Sequence, residues 1–275
     1  MRIVIDMQAA QTASGTRGIG RYAMSLAKAI VRNKGEHEVV LALNGMLPDA
    51  IESIRASFNG LLPQEHIRVW YAAGPVAWVD TSNHGRRQAA QIIREAFLVS
   101  LKPDVVLISS LFEGLGDDAV TSIGVLSKEV PTAVVLYDLI PFIHPKLYLE
   151  DPVAKDWYLR KIEFLKEADL FLAISESSRK EGTEYLSFDE QCAINISSDA
   201  DPFFHKIDVP NDRVLAIAGR YGIIRPFMMY TGGIDHRKNI EGLIRAFSNL
   251  PKAIRENHQL AVVCTIQADA RRLLE

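Results

Sequence analysis

Cysteine is scarce in this chain. Only Cys192 and Cys264 occur in 275 residues, far apart, with Cys264 inside the apolar run Ala261-Val262-Val263-Cys264. A disulfide framework is therefore not expected, and a reducing cytoplasm is the expected compartment. Long hydrophobic runs are also missing. None approaches the roughly 20 residues of a membrane span, and Asp6 interrupts the opening Met1-Arg2-Ile3-Val4-Ile5 where a signal peptide is apolar. The chain is expected to be neither secreted by that route nor integral to a membrane, with peripheral contact at the inner membrane face left open. Charge of one sign is not in excess either. Lys plus Arg is 31 and Asp plus Glu is 34, a net charge of −3, whereas a duplex binder needs a cationic surplus to displace counterions. Nucleic acid is not an expected partner. The sequence holds no H-E-x-x-H, Walker A or G-x-S-x-G motif, which removes zincin, P-loop and α/β-hydrolase chemistry.

What is present is ordinary for a globular protein: 48% hydrophobic and 24% charged residues. Short β-branched runs alternate with longer amphipathic stretches, the pattern of βα units and a parallel sheet. Strands are expected at Arg2 to Met7, Glu38 to Leu43, Ile67 to Tyr71, Val105 to Ser109, Thr132 to Tyr137 and Leu170 to Ile174. Helices are expected at Ile19 to Arg32, Leu47 to Phe58, Arg86 to Ser100, Asp118 to Ser127, Val153 to Glu167 and Ser178 to Tyr185. Several strands are apolar throughout, as strands covered on both faces are.

From Ser187 to Tyr221 this rhythm stops, and Pro202 and Pro210 mark a crossing between domains. A second βαβ unit follows: a strand at Phe227 to Thr231, a helix at Asn239 to Leu250 ended by Pro251, a strand at Gln259 to Thr265 and a helix within Ala268 to Glu275. The expected domains are 1–208 and 209–275. Two strands cannot bury both faces of a parallel sheet, so the second domain reads as incomplete, lacking on the order of 100 residues against an ordinary doubly wound domain.

Three clusters point to chemistry. Gly15-Thr16-Arg17-Gly18-Ile19-Gly20-Arg21-Tyr22-Ala23 contains G-x-G-x-x-A between a strand and a helix, where backbone N–H groups meet a phosphate or a sugar. A dinucleotide fingerprint is disfavoured, because that loop follows its strand at once and here Asn44 stands where an acidic residue holds the ribose. Tyr137-Asp138-Leu139-Ile140-Pro141 ends a buried strand on the edge where open α/β sheets bind ligands. There Asp138 can orient a hydroxyl nucleophile or accept its proton; an N-cap or turn aspartate is the equal alternative. Gly232-Gly233-Ile234-Asp235-His236-Arg237-Lys238-Asn239 follows a strand and opens a helix, bringing two cations to a helix N-terminus. Cations there are unfavourable unless an anion is bound, and a diphosphate suits the combination. Asp199-Ala200-Asp201 spells D-x-D, but in the irregular crossing rather than at a strand end, and it is discounted as a metal site.

Taken together and in this order, these residues resemble the retaining glycosyltransferase family 4 of the two-Rossmann-domain GT-B fold, and most closely its bacterial polysaccharide mannosyltransferase branch. The matching stretches are Ile5-Asp6-Met7-Gln8, Arg17-Gly18-Ile19-Gly20-Arg21-Tyr22, Tyr137 to Pro141, Ala173-Ile174-Ser175-Glu176-Ser177-Ser178, and Gly232 to Asn239. The fold implied is α/β, a complete N-terminal Rossmann-like sheet followed by an incomplete second one. The activity implied is transfer of a sugar, with mannose from GDP-mannose favoured, to a glycan or polyprenol-linked acceptor with retention at the anomeric carbon. The resemblance assigns donor contacts to Gly18, Gly20, Gly232, Gly233, Arg237 and Lys238, the catalytic carboxylate to Asp138, and acceptor-side contacts to Arg17, Tyr137 and Glu176. No metal or other cofactor is implied, since preorganised cations stabilise the departing diphosphate.

Three departures stand out. Tyr137 replaces the histidine that many relatives place before the aspartate, and Gly233 stands where relatives often have arginine. The family's E-x7-E belongs further along the second domain and is absent; Glu176 and Glu184 have that spacing but lie in the first. The donor site is therefore expected to be half built, needing further C-terminal sequence or a partner chain. The alternative is a non-catalytic nucleotide- or glycan-binding module that works with a partner.

Overall fold

The computed structural model describes residues 1–201, 204–234 and 236–264. The chain divides into two compact units, Met1–Asp201 and Pro202–Glu275.

In the first unit seven strands form one wholly parallel sheet: β1 (Arg2–Asp6), β2 (Glu38–Asn44), β3 (Ile67–Trp70), β4 (Val105–Ile108), β5 (Thr132–Leu136), β6 (Leu170–Ala173) and β7 (Ala193–Asn195). The helices are α1 (Gln8–Gln11), α2 (Gly18–Arg32), α3 (Ile51–Ser57), α4 (His84–Ser100), α5 (Ile140–Ile143), α6 (Pro145–Tyr148), α7 (Pro152–Leu165) and α8 (Glu176–Leu186). Strand order is β3-β2-β1-β4-β5-β6-β7, so the winding reverses between β1 and β4, where such sheets open a crevice at their carboxyl edge. The central strands bury both faces. Val4, Val40, Val106 and Val134 pack with Leu98 of α4 and with Ile162 and Leu165 of α7. On the other face Ile5, Leu41, Leu107 and Val135 pack with Ala27 and Val31 of α2 and Ile54 of α3.

Two expectations are corrected here. The stretch Asp118 to Ser127 is not a helix; the whole β4–β5 connection is irregular. Its backbone groups are bonded to distant side chains instead of to each other. Val120 N–H donates to Gln8 Oε1 at 2.8 Å, and its carbonyl accepts from Gln8 Nε2 at 2.6 Å. The Asp118, Thr121 and Ser122 carbonyls accept from Asn44, Lys161 and Arg94. β-Branched Val120 and Thr121 add little helix propensity to oppose this. The Ser187 to Tyr221 stretch is also less irregular than expected, since it holds the edge strand β7 and a helix, α9 (Asn211–Arg220). A three-residue strand is too short to show a period of two.

The polar network is anchored at the centre of the sheet. Asp6 and Arg94, each 1% exposed, pair at 2.5 Å, with Arg94 Nε donating to Asp6 Oδ2 at 2.7 Å. Asp6 Oδ1 accepts from the Gln8 N–H at 3.1 Å.

In the second unit β8 (Phe227–Thr231) pairs in parallel with β9 (Gln259–Val263), with α9, α10 (Ile240–Ser248) and α11 (Lys252–Arg255) around them. Asp235 of the second-unit motif, Pro202 of the crossing, Thr265 and the expected helix within Ala268 to Glu275 lie outside the described residues. Among the described residues no helix is long and apolar enough to cross a membrane.

Removing one member of a buried ion pair leaves the other charge unpaired, at about 3–5 kcal/mol. Asp6→Ala is expected to lower the stability of the first unit by that amount in urea denaturation, whereas Arg160→Ala, whose partner Glu163 is exposed, changes it by less than about 1 kcal/mol.

Candidate active site

The carboxyl ends of β1, β4, β5 and β6 gather most of the residues singled out in the first unit. After β1 the chain forms α1, then a short 3-10 turn at Ala13–Thr16, then α2. Arg17 is the N-cap residue of α2, exposed, and its side chain makes no capping bond. The three glycines divide by role. A Cβ on Gly20 would lie 2.3 Å from the Gly15 Cα and 2.4 Å from the Ser14 carbonyl oxygen, and one on Gly15 would lie 2.6 Å from the Ala10 carbonyl oxygen. These two are glycine because the turn packs backbone to backbone on the helix. Gly18 has open space around its Cβ direction, and its N–H stands in the first turn of α2.

Tyr137 and Asp138 follow β5. The Tyr137 hydroxyl is shared between the Ser109 carbonyl at 3.0 Å and the Ile19 carbonyl at 3.3 Å. Its ring meets Tyr22 edge-on at 5.7 Å, and burial pushes its phenol well above the ordinary tyrosine range. Tyr137 thus ties α2 to the end of β4. Asp138 Oδ1 accepts from the Ile140 N–H at 3.2 Å, the turn-aspartate geometry; among the described residues Oδ2 has no partner. α8 fixes this loop from behind. Ser178 Oγ donates to the Tyr137 carbonyl, and Glu181 Oε2 accepts from the Leu139 N–H at 2.8 Å. Glu176 lies in the first turn of α8, exposed and paired with Arg179 at 2.8 Å, and that hydrogen bond holds its carboxyl below the usual range.

The sequence reading missed Glu113. It stands on the loop after β4, at the point where the winding reverses, and is 5% exposed. Thr12 and Ser14 donate to its Oε2 at 2.9 and 3.2 Å, so it holds the turn that precedes α2, while Oε1 is buried without a hydrogen-bond partner. Burial pushes its carboxyl up to about 7, against the Thr12 hydrogen bond, which favours the charged form. Its one sequence signal is an acidic residue just past a strand at the switch point.

In the second unit Gly232 follows β8 with φ +154, a conformation that favours glycine. The Tyr230 hydroxyl donates to the Gly233 carbonyl at 2.6 Å. Arg237 and Lys238, both exposed, lie on a 3-10 turn, His236–Lys238, ahead of α10. The helix itself is capped by Asn239, whose side chain accepts from the Gly242 N–H at 3.2 Å. The cations thus precede a capped helix end, and the helix begins next to Asn239, where the sequence places it. The Asp199–Asp201 stretch forms local bonds and one to Ser25 at 3.1 Å. Among the described residues no cluster of three metal-ligating side chains occurs.

No family model matches the chain. It is 34% identical over 270 residues, 98% of its length, to a serotype-specific mannosyltransferase WbdA of Escherichia coli, and 33% identical over 245 residues, 89% of its length, to a second WbdA. It spans about a third of these curated relatives, 32% and 30%. Among solved structures, WaaG, a glycosyltransferase involved in lipopolysaccharide biosynthesis, superposes with a TM-score of 0.55 at 12% identity, covering 100% of this chain and 68% of that one. At that identity the likeness concerns the fold, which is the α/β architecture of GT-B glycosyltransferases.

Two outcomes follow from this geometry. Gly20→Ala is expected to destabilise the first unit by about 2 kcal/mol or more, as overpacking against rigid backbone does. Gly18→Ala leaves thermal stability within about 1 kcal/mol of the parent. For Glu113, the folded carboxyl near 7 exceeds its usual 4.5, so the native state holds the proton more tightly. Stability then falls as pH rises from about 4.5 through about 7 and levels above, by at most about 3 kcal/mol. Urea denaturation at stepped pH should show that slope in the parent and not in Glu113→Gln.

Proposed function

We propose that this chain is the acceptor-binding unit and the start of the donor unit of a retaining mannosyltransferase that builds a bacterial polysaccharide. The observation that carries this reading is the similarity to WbdA along 98% of the chain. The carboxyl edge of the sheet supports it by offering the Asp138 carboxylate after β5 and the open first turn of α2, at the edge where such folds bind ligands.

In this reading the acceptor is a glycan or polyprenol-linked sugar, and work at the inner face of the membrane suits a lipid-linked one. Its hydroxyl is oriented by Asp138 Oδ2, which takes the proton as the new bond to the anomeric carbon forms. The bond from that carbon to the nucleotide diphosphate breaks, and the leaving group carries away the electron pair. Arg237 and Lys238 meet the charge that develops, a role preorganised cations perform well in a dry site. Gly18, Gly232 and Gly233 let backbone approach the donor. Arg17 and Glu176 stand on the acceptor side, while Tyr137 acts through the position of α2, because its hydroxyl hydrogen is already committed to Ser109 and Ile19. No metal or cofactor is assigned a step.

The test is transfer of labelled mannose from GDP-mannose to mannosylated acceptors, with calorimetric titration of donor. Lys238→Ala is expected to weaken GDP-mannose binding about 10-fold, the loss of one charge-assisted contact. Asp138→Ala is expected to cut transfer by about 100-fold or more, with the anomeric configuration of the product read by NMR. Equal transfer by Asp138→Ala and the parent, or an inverted product, overturns the assignment.

A further inference from the structure

A groove outside the crevice is built for a ligand of its own. It has a volume of about 470 Å³ and lies where α4 and α7 begin, with Trp78, Arg87, Gln88, Gln91, Asp156 and Arg160 in its lining. α4 leads into β4 and α7 into β6 in a parallel sheet, so both helices start at the carboxyl edge, the same edge as the crevice. Its walls are tied to the loop that carries Glu113. Trp78 N–H donates to the Gly114 carbonyl at 3.1 Å and Val79 N–H to the Leu115 carbonyl at 2.9 Å. On the far wall Trp157, next to Asp156, donates its indole N–H to the Glu113 carbonyl at 3.4 Å.

The lining joins an aromatic ring to planar polar groups. The Arg87 guanidinium lies 4.0 Å from the Trp78 ring centre and is 8% exposed, which fixes both in place. Gln91 is 7% exposed, lines the groove, and its amide makes no hydrogen bond among the described residues. The amide therefore reaches the groove surface with its donors and acceptor open to a ligand. Arg160 pairs with Glu163 at 2.5 Å and covers the Phe164 ring, and Asp156 brings a carboxylate to the same lining as Arg87.

A half-buried aromatic ring beside amide and carboxylate groups that take paired hydroxyls is the chemistry that recognises a neutral sugar. We propose that this groove is a saccharide subsite holding a hexopyranose unit of the acceptor chain away from its reacting end. The link to the acceptor rests on the transferase reading above; the binding of sugar does not.

Titration of the whole chain with α-linked mannotriose, without donor, followed by heteronuclear NMR, separates the two. The expected result is a Kd in the millimolar range, with shifts at the Trp78 indole and the Gln91 side-chain amide. Affinity should fall about 5-fold or more in Gln91→Leu and in Asp156→Ala. Asp156 is an exposed helix residue, so that variant keeps its fold; an unchanged urea midpoint checks this. Unchanged affinity in both variants, shifts confined to the Asp138 loop, or displacement of the sugar by inorganic phosphate overturns the proposal. Sugar binding at the groove in a chain that transfers nothing keeps the subsite and removes only its assignment to an acceptor.

Discussion

The buried pair of Asp6 and Arg94 is the constraint on which the first unit rests. A carboxylate at the end of the central strand of a sheet covered on both faces is expensive unless every lone pair is used. Arg94 reaches it from α4, and the Gln8 N–H and Gln8 amide close the remainder. The consequences spread outward. Gln8, held by Asp6, bonds both backbone groups of Val120 and receives Asn44 from the end of β2. Arg94 binds the Ser122 carbonyl. The β4–β5 connection is thereby fixed in an irregular path without forming a helix, and that path borders the crevice.

The same economy governs the residues around the crevice, most of which hold one another before they hold a ligand. Tyr137 spends its hydroxyl on two carbonyls, Glu181 spends a carboxylate oxygen on Leu139, and Glu113 spends one on two hydroxyls. Among the described residues, what remains uncommitted there includes Asp138 Oδ2, Glu113 Oε1, the open backbone at Gly18 and the exposed Arg17. A site assembled this way is preorganised, since its loop positions do not wait for substrate.

Much of this fold was legible in the sequence, for a physical reason. Strands such as Val39-Val40-Leu41-Ala42-Leu43 are apolar on both faces because helices cover both, and such runs announce themselves. The placement of Tyr137 and Asp138 at a strand end was legible for the same reason. Residues 118–127 were not, since their conformation is decided by side chains from α1, β2, α4 and α7 that are distant in sequence. At Gly20 the close approach of Gly15 and Ser14 adds a packing reason for glycine that the motif alone does not display. Glu113 belongs to no motif; its weight comes from burial, which a sequence does not display. The start of α10 was legible as well, because Asn239 is a capping residue type and the helix begins directly after it, beyond Arg237 and Lys238.

The two units differ in how far they satisfy their own surfaces, and this difference bears on what each does alone. The seven-stranded sheet of the first unit is covered by α2 and α3 on one side and α4 and α7 on the other. Its two core clusters are built from residues of the first unit. The second unit presents β8 with Phe227, Met228 and Met229 exposed by 47%, 42% and 62%, an apolar strand that ordinary soluble domains cover. The first unit thus covers its own sheet, whereas β8 leaves apolar side chains open. Under the proposed reading, acceptor recognition draws on fixed loops of a finished sheet, and donor recognition draws on cations that only a covered sheet holds in place.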